Sequence, residues 1–473
     1  MSVSVSERPG TSGGPGAPGP AVRTPRPGVA LAVIAGCNAM IQLDDPIVNI
    51  ALPGMRAGLG LSAVGASWVL SAYLLAFGGL LLLGGRAGDI LGRRKVFLTG
   101  VAVFTVAAGA RALAPTDEVM IAVRAVQGLG AACAAPSGLA LLLSTFAEGT
   151  ARKKAIAVCT AVGAVSTAGG LLLAGALTSL GSWRWVLLLN VPIGAAILIL
   201  GPRVLEETAR NRGRRLDVPG ALLSAAAATS LVYALARAAD HDWSDPTVAA
   251  PLLSGLVLLA VFAAVERRAE QPIVVLRLFA DRDRLLAYLA VLAVPGALVG
   301  AYFFLSQSFQ QAGKSPLATA FTLLPIPVTM AVMAGVAVRA ERLLGPKRLM
   351  ALGATALAVG NLMLASLDDV EVIRVVPALI LLGAGMACCV IPPTVLATSR
   401  LRADEAGAAS SVLNSLQALG GSLGIALLVT ASSGHSDFSD ARSVGFATGA
   451  VFAVAVLLAA LGVRRPADRR PQR

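Results

Sequence analysis

The sequence predicts an all-α integral membrane protein with fourteen transmembrane helices. Three observations carry that expectation. Of the 473 residues, 56% are hydrophobic and only 14% are charged, whereas soluble domains run nearer one-quarter charged. Apolar runs of about 20 residues, the length an α-helix needs to cross hydrocarbon, recur from one end to the other. Charge is also partitioned. With the N-terminus placed in the cytoplasm, 31 of the 39 Lys and Arg residues fall in cytoplasmic segments, seven in outer ones and Arg124 inside a span. That is the positive-inside pattern with both termini cytoplasmic. A missed or extra span would reverse every later loop and erase the contrast. The net charge of +13 is therefore read as topology, and no nucleic-acid partner is expected. Alternating short strands are absent, against an outer-membrane barrel.

Residues 1–27, rich in Gly, Pro, Ser and Arg, read as a disordered cytoplasmic tail. They do not read as a signal peptide, because no apolar core begins before about Gly28. The spans are expected at 28–52, 66–84, 96–114, 119–144, 155–179, 184–202, 217–236, 247–265, 285–307, 317–338, 349–367, 373–396, 408–431 and 443–463, followed by a basic cytoplasmic tail at 464–473. Trp68, Trp183, Trp185 and Trp243 all lie at expected outer boundaries, where amphipathic rings prefer to sit. Cys37, Cys133, Cys159, Cys388 and Cys389 all lie inside spans, with no CxxC pair or His/Cys cluster. Neither disulfides nor a metal are expected.

The polar gap after the second span reads Gly85-Arg86-Ala87-Gly88-Asp89-Ile90-Leu91-Gly92-Arg93-Arg94-Lys95. Glycine permits a tight reversal. The basic residues hold the turn on one side of the bilayer, and Asp89 is placed to meet them or a helix N-terminus. The turn after the tenth span, residues 339–348, aligns with it weakly: Gly345 on Gly92, Lys347 and Arg348 on Arg94 and Lys95, and Arg342 in place of Asp89. An offset of eight spans implies two six-helix halves, 28–202 and 285–463, separated by a linker, 203–284, with two inserted helices. Repeated halves with a site at their interface are the common transporter plan.

Two carboxylates, Asp44 and Asp45, lie in span 1 ahead of Pro46. Acids at membrane depth are costly and mark function; the alternative is a hydrated pair near the outer mouth. Being adjacent, they diverge by about 100° on a helix. In span 4, Arg124 needs a partner or water, unless it snorkels outward. By helical rise Arg124 lies roughly 9 Å and Asp44 roughly 12 Å from the outer surface, depths that suit an ion pair. Gln42, Asn49, Gln127, Gln307, Gln310, Asn361, Asn414 and Gln417 are the remaining polar candidates for a substrate cavity, each with interhelical bonding as the alternative. Gly128 and Gly130 would let helices approach closely.

These strings resemble those of the major facilitator superfamily. The 85–95 turn resembles its loop signature Gly-x-x-x-Asp-x-x-Gly-Arg-Arg-Lys. Arg124-x-x-Gln127-Gly128-x-Gly130 is similar to its fourth-span signature. Asp44 followed by Val48-Asn49-Ile50-Ala51-Leu52-Pro53 resembles the first span of the fourteen-spanner drug:proton antiporters. Ser182-Trp183-Arg184-Trp185 and Asn190-Val191-Pro192-Ile193-Gly194 match further family runs, as do segments near Asp217, Ser315 and Asn414, so the resemblance covers about 28–463. The fifth-span signature Gly-Pro-x-x-Gly-Gly falls on Gly170 to Gly175, where Leu171 and Ala174 replace a proline and a glycine. The resemblance implies a major facilitator fold, with proton-coupled export of a hydrophobic or cationic drug or antibiotic from a bacterial cytoplasmic membrane. In that scheme Asp44 and Asp45 load protons and Arg124 controls their affinity. Gly85, Asp89, Gly92, Arg93 and Arg94 form a latch between the halves, and Gly170 and Gly175 pack helices. No cofactor beyond the proton gradient is implied, the chain is not an enzyme, and a monomer is expected. Because span 5 departs from the pattern, uptake or facilitated movement of another solute is the second reading, and a non-transporting membrane sensor the third.

Overall fold

The computed structural model describes residues 26–208, 217–269, 272, 274, 276–367, 370–398, 406–435 and 437–464. Of the tails expected at 1–27 and 464–473, residues 1–25 and 465–473 lie outside the described residues. Pro27 already opens the first helix.

Helix α1 (Pro27–Leu59) runs seven residues beyond the expected span and closes on Gly60 in a left-handed conformation. Pro53 does not end it. Proline removes the donor for the carbonyl four residues back, here Asn49, and that carbonyl accepts from the Ser306 hydroxyl at 2.8 Å instead. Helices α2 (Ala63–Leu91), α3 (Arg93–Ala112), α4 (Asp117–Thr145) and α5 (Thr150–Leu180) follow. The sixth span is broken into α6 (Trp183–Leu187) and α7 (Asn190–Val204). The inserted pair is α8 (Val218–Arg237) and α9 (Pro246–Arg268); α8 packs beside α2 and α14, and α9 packs on α8. The second half comprises α10 (Arg282–Gln311), α11 (Pro316–Leu323), α12 (Pro325–Ala365), α13 (Val372–Thr398), α14 (Ala406–Ser432) and α15 (Phe438–Gly462). Helix starts follow capping chemistry: Ser62, Thr116, Asp217, Asp245, Asp281, Ser315 and Asp437 each accept from a first-turn backbone N–H, satisfying donors that a helix leaves open.

Among the described residues thirteen helical segments are long and apolar enough to cross a membrane, and one of them, Pro316–Ala365, is 50 residues long. It contains Gly345 at φ 76°, ψ 164°, a conformation essentially reserved for glycine. The chain reverses there. A Cβ on Gly383 of α13 would lie 2.5 Å from the Ile326 carbonyl oxygen, and one on Gly385 would lie 2.7 Å from that of Gly353. Ile326 and Gly353 would be about 40 Å apart on a straight helix, whereas Gly383 and Gly385 are about 3 Å apart along theirs. Both arms of α12 therefore pack side by side on α13. The molecule is a multi-pass, all-α membrane protein. One end of the bundle carries the tryptophans, and the other carries the basic turns.

Close packing in the first half relies on small residues. A Cβ at Gly128 would meet the Tyr73 carbonyl at 2.5 Å, joining α4 to α2, and one at Gly130 would meet Phe104 N at 2.6 Å, joining α4 to α3. Gly170 lets α5 approach Leu43 of α1, and Gly175 lets it approach Pro316 and Leu317 of α11. Trp183 is not an interfacial ring as expected: it is buried against Gly54 and Gly58 of α1, while Trp185 and Trp243 are exposed.

Candidate functional site

Asp44 and Arg124 meet, as their depths suggested, but at the centre of a larger network. Asp44 is fully buried. Its Oδ1 accepts from Arg111 Nη2, Gln127 Nε2 and Asn190 Nδ2, each at 2.9 Å, and its Oδ2 accepts from Arg124 Nη1. Helices α1, α3, α4 and α7 thus converge on one carboxylate. Arg124 also donates from Nε to the Val69 carbonyl at 2.8 Å, and its guanidinium lies 4.5 Å from the centre of the Tyr73 ring. Two buried guanidiniums face one buried carboxylate, a surplus of one positive charge. Arg111 Nε and Nη1 and Arg124 Nη2 have no partner among the described residues. Breaking such a buried cluster by removing the shared partner costs roughly 3–5 kcal/mol.

Two members of this network escaped the sequence reading. Arg111 counted there as an outer-margin charge, yet it is 0% exposed and paired with Asp44. The available signal was its setting, Ala107 to Ala114, apolar on both sides. Asn190 was noted only as part of a run. The break between α6 and α7 puts it in the first turn of α7, where its amide reaches Asp44. Gln127, expected to line the cavity, is fully buried and belongs to this network.

Asp45 is not part of it. Rotated about 100° from Asp44 on the helix, it is exposed, and its side chain makes no hydrogen bond or ion pair with another described residue. It shares a face with Asn38, Gln42 and Asn49, which recur at helical spacing. Asn38 donates to the Cys159 carbonyl of α5 at 2.9 Å, and Asn49 donates to the Asp45 carbonyl at 2.9 Å. This face borders α5, which Asn38 reaches, and α10 of the other half, whose Ser306 donates to the Asn49 carbonyl, so it faces the cleft between the halves. Gln42 and Asp45 are exposed while Asn49 is buried, so the cleft opens toward the basic end.

Hydrogen bonds close the tryptophan end. Beside the Ser306–Asn49 bond, Gln310 Nε2 donates to the Ile50 carbonyl at 3.1 Å and Arg56 donates to Gln307 Oε1. Leu317 N donates to Ser179 Oγ at 3.1 Å, tying α11 to α5. Gln307 and Gln310, expected in the cavity, thus sit in this closure. Asn414 and Gln417 do line a cavity of about 130 Å³, with Val294, Met386, Cys389 and Val390. That volume is below the few hundred Å³ typical of drug-sized sites, so a ligand of that size would need the adjoining cleft as well.

In the 85–95 turn, Gly92 adopts φ 111°. Asp89 accepts from Arg93 at 3.0 Å, and Arg94 donates to the Pro202 carbonyl at 2.5 Å. The start of α3 is capped by Glu207, whose oxygens accept from Arg94 N at 3.0 Å and Lys95 N at 3.3 Å. Asp89, expected to meet either the basic residues or a helix N-terminus, pairs with a basic residue, while Glu207 takes the helix start. A Cβ added at Gly85 would make only ordinary contact with Pro136 of α4, at 3.5 Å.

Comparison with known proteins places this geometry in a family. The model of the Major Facilitator Superfamily matches residues 34–425. A puromycin resistance protein of Streptomyces alboniger is 39% identical, over 92% of this chain and 90% of that protein. A cephamycin export protein of Amycolatopsis lactamdurans is 37% identical, over 92% and 91%. A multidrug efflux pump of Mycolicibacterium smegmatis is 32% identical, over 86% and 81%. In fold, the crystal structure of a nucleoside transporter superposes with a TM-score of 0.67 at 13% identity, covering 92% of this chain and all of that one. The chain belongs to the major facilitator superfamily.

Proposed function

We propose that this protein exports small hydrophobic drugs or antibiotics across a bacterial cytoplasmic membrane in exchange for protons. The observation that carries the reading is the buried Asp44 network. A carboxylate held by two arginines at membrane depth is expensive to maintain, and it can exchange a proton for its ion pairs when the halves rearrange. The resistance and export relatives support the direction of transport. In this reading the basic end is cytoplasmic, both termini lie inside, and Gly345 separates two crossings, which makes fourteen. Residues 28–202 and 285–463 are the two halves, and the open cleft is the inward-facing state. The closure through Ser306, Gln307 and Gln310 is the shut outer gate, and the 85–95 turn with Glu207 is the inner latch. The energy source is the proton gradient, no cofactor is needed, and the monomer suffices.

The test uses inside-out vesicles energised by an imposed proton gradient. The protein should drive accumulation of puromycin or another lipophilic drug, and a protonophore should abolish it. Gradient-dependent depletion from the vesicles instead would mean uptake by the cell, the second reading. Accumulation indifferent to the protonophore would exclude proton coupling.

A further inference from the structure

We propose that Asp217 and Glu266 form a proton-operated brake on the transport cycle. While they share a proton they hold the link between α9 and α10 across both halves, and when they lose it they let that link go. The proposal goes beyond the export reading and takes from it only the alternation between two states and the cytoplasmic placement of the basic end. Asp217 caps the start of α8 and Glu266 lies in the last turn of α9, so the inserted pair brings them together at the basic end. Glu266 is 3% exposed. A Cβ added to Gly220 would lie 2.5 Å from Glu266 Oε1 and 2.8 Å from Asp217 Oδ2, so both oxygens point into one small space. Neither oxygen has a donor among the described residues. The other oxygen of each carboxyl is committed: Asp217 Oδ1 accepts from Gly220 N at 3.0 Å, and Glu266 Oε2 from Val274 N at 3.2 Å. The charged groups facing Glu266 are Asp217 from α8 and Arg86 from α2, while Arg267 and Arg268 beside it on α9 are exposed. Two carboxylates sharing one buried space do not both stay ionised, and a proton held between them supplies the donor that this space lacks.

What the pair holds is a tie between the halves. Arg86 of α2 donates to the Pro272 carbonyl, and Val274 donates to Glu266. The 3-10 turn Leu276–Phe279 follows. Its Leu278 is buried with Tyr288 and Val291 of α10, Ala397 of α13 and Leu413 of α14, and Leu82 of α2 packs against the same cluster. The Phe279 and Tyr288 rings lie 4.8 Å apart. The link is therefore held by the first half through Arg86 and Leu82, and by the second half through Tyr288 and Leu413. Closing the cleft at the basic end moves the halves relative to one another, so some of these contacts must give. With the proton in place, α8 and α9 stay paired, Val274 keeps its anchor and the cleft stays open. Without it the two carboxylates repel, the start of α8 parts from the end of α9, and the link is free to move with the second half. Because this end is cytoplasmic in the export reading, a cytoplasm acidified by incoming protons refills the pair and slows the exchange that acidifies it.

Spin labels at Leu91 and Ala280, both exposed, read the tie directly by pulsed dipolar spectroscopy on the full chain in nanodiscs, with the native cysteines replaced. In the parent the distance distribution should be narrow at about pH 6 and broad at about pH 8.5, on either side of the range in which paired buried carboxyls give up a proton. Glu266→Gln, whose amide donates to Asp217 without titrating, should stay narrow at both. Glu266→Ala, which leaves Asp217 alone and Val274 N without its acceptor, should be broad at both. In inside-out vesicles the bath is the cytoplasmic side. With the gradient held constant, drug accumulation by the parent should fall as the bath is acidified, and Glu266→Gln should be slow at either bath pH. A parent distribution indifferent to pH, or a Glu266→Gln distribution that follows the parent, would overturn the proposal. Absence of accumulation by every form, with the pH-dependent distances intact, would count against the export reading and still support the tie. Unfolding temperature and elution volume, matched to the parent, exclude misfolding as the cause.

Discussion

The two halves turn at matching places and differ inside. Gly92 and Gly345 both adopt positive φ, 111° and 76°. Each is followed by a base that caps the last helix of its own half: Arg94 on the Pro202 carbonyl at 2.5 Å, and Lys347 on those of Leu461 at 2.6 Å and Val463 at 3.0 Å. Cations at helix C-termini are favourable, so the repeated turn has a repeated purpose. The interiors are not repeated. Nineteen residues past its glycine the first half buries Arg111, paired with Asp44. Sixteen residues past its own, within one helical turn of the same depth, the second half buries Asn361, which donates to the Ala297 and Leu357 carbonyls at 2.8 and 2.9 Å. The first half thus gathers its buried charge around Asp44, whereas the second keeps a neutral amide at the matching depth and its buried Arg442 near the start of α15. Under the proposed function, this asymmetry puts proton coupling in the first half.

The largest expected effect tests the charge itself. Asp44→Asn strips two buried guanidiniums of their counter-charge, and thermal or denaturant unfolding should show a loss of roughly 3–5 kcal/mol, with export falling to background. The turns come next. An alanine at either glycine meets a strained backbone worth about 1–3 kcal/mol. At Gly92 the new Cβ would also lie 2.7 Å from the Glu207 carboxyl carbon, whereas nothing lies within 4 Å at Gly345. Gly92→Ala should therefore destabilise more than Gly345→Ala; the reverse order would undo the distinction between a capped and an uncapped turn. For the neutral interior, Asn361→Leu removes two hydrogen bonds and should cost about 1–3 kcal/mol while leaving proton-driven export measurable. A loss as complete as that of Asp44→Asn would erase the asymmetry. The smallest effect is at the gate. Ser306→Ala removes one bond worth about 0.5–1.5 kcal/mol, and spin labels at positions 57 and 312 should report a larger outward-open population.

How far these features could be read in advance depended on whether their partners were local. Helix starts near Asp217 and Ser315 were legible from contiguous runs that resemble the family's, and each residue proves to cap its own helix. The reversal at Gly345 was legible through its likeness to Gly92. The Asp44–Arg124 pairing followed from charge, since an acid and a base at similar depth in hydrocarbon have few alternatives. Arg111 was lost because it stood near the end of its span, where an arginine ordinarily reaches water. The end of α1 was misplaced because Pro53 and Gly54 look like a stop. What carries the helix onward is Ser306 on α10, 257 residues from Asn49, taking the carbonyl that Pro53 leaves open. Gln307 and Gln310 were read as cavity residues for the same reason: their acceptor and donor on α1 are distant in sequence, and only the closed outer end brings them together.

The central claim is that the first half carries the proton in the Asp44 network. The direct measurement is substrate-triggered proton release from purified protein in weakly buffered detergent, followed with a pH dye on adding tetraphenylphosphonium. The parent should release protons at low concentrations of the cation. Asp44→Asn, confirmed as folded by its elution volume, should release none at any concentration. Release by Asp44→Asn equal to that of the parent would contradict the assignment and place the proton elsewhere in the chain.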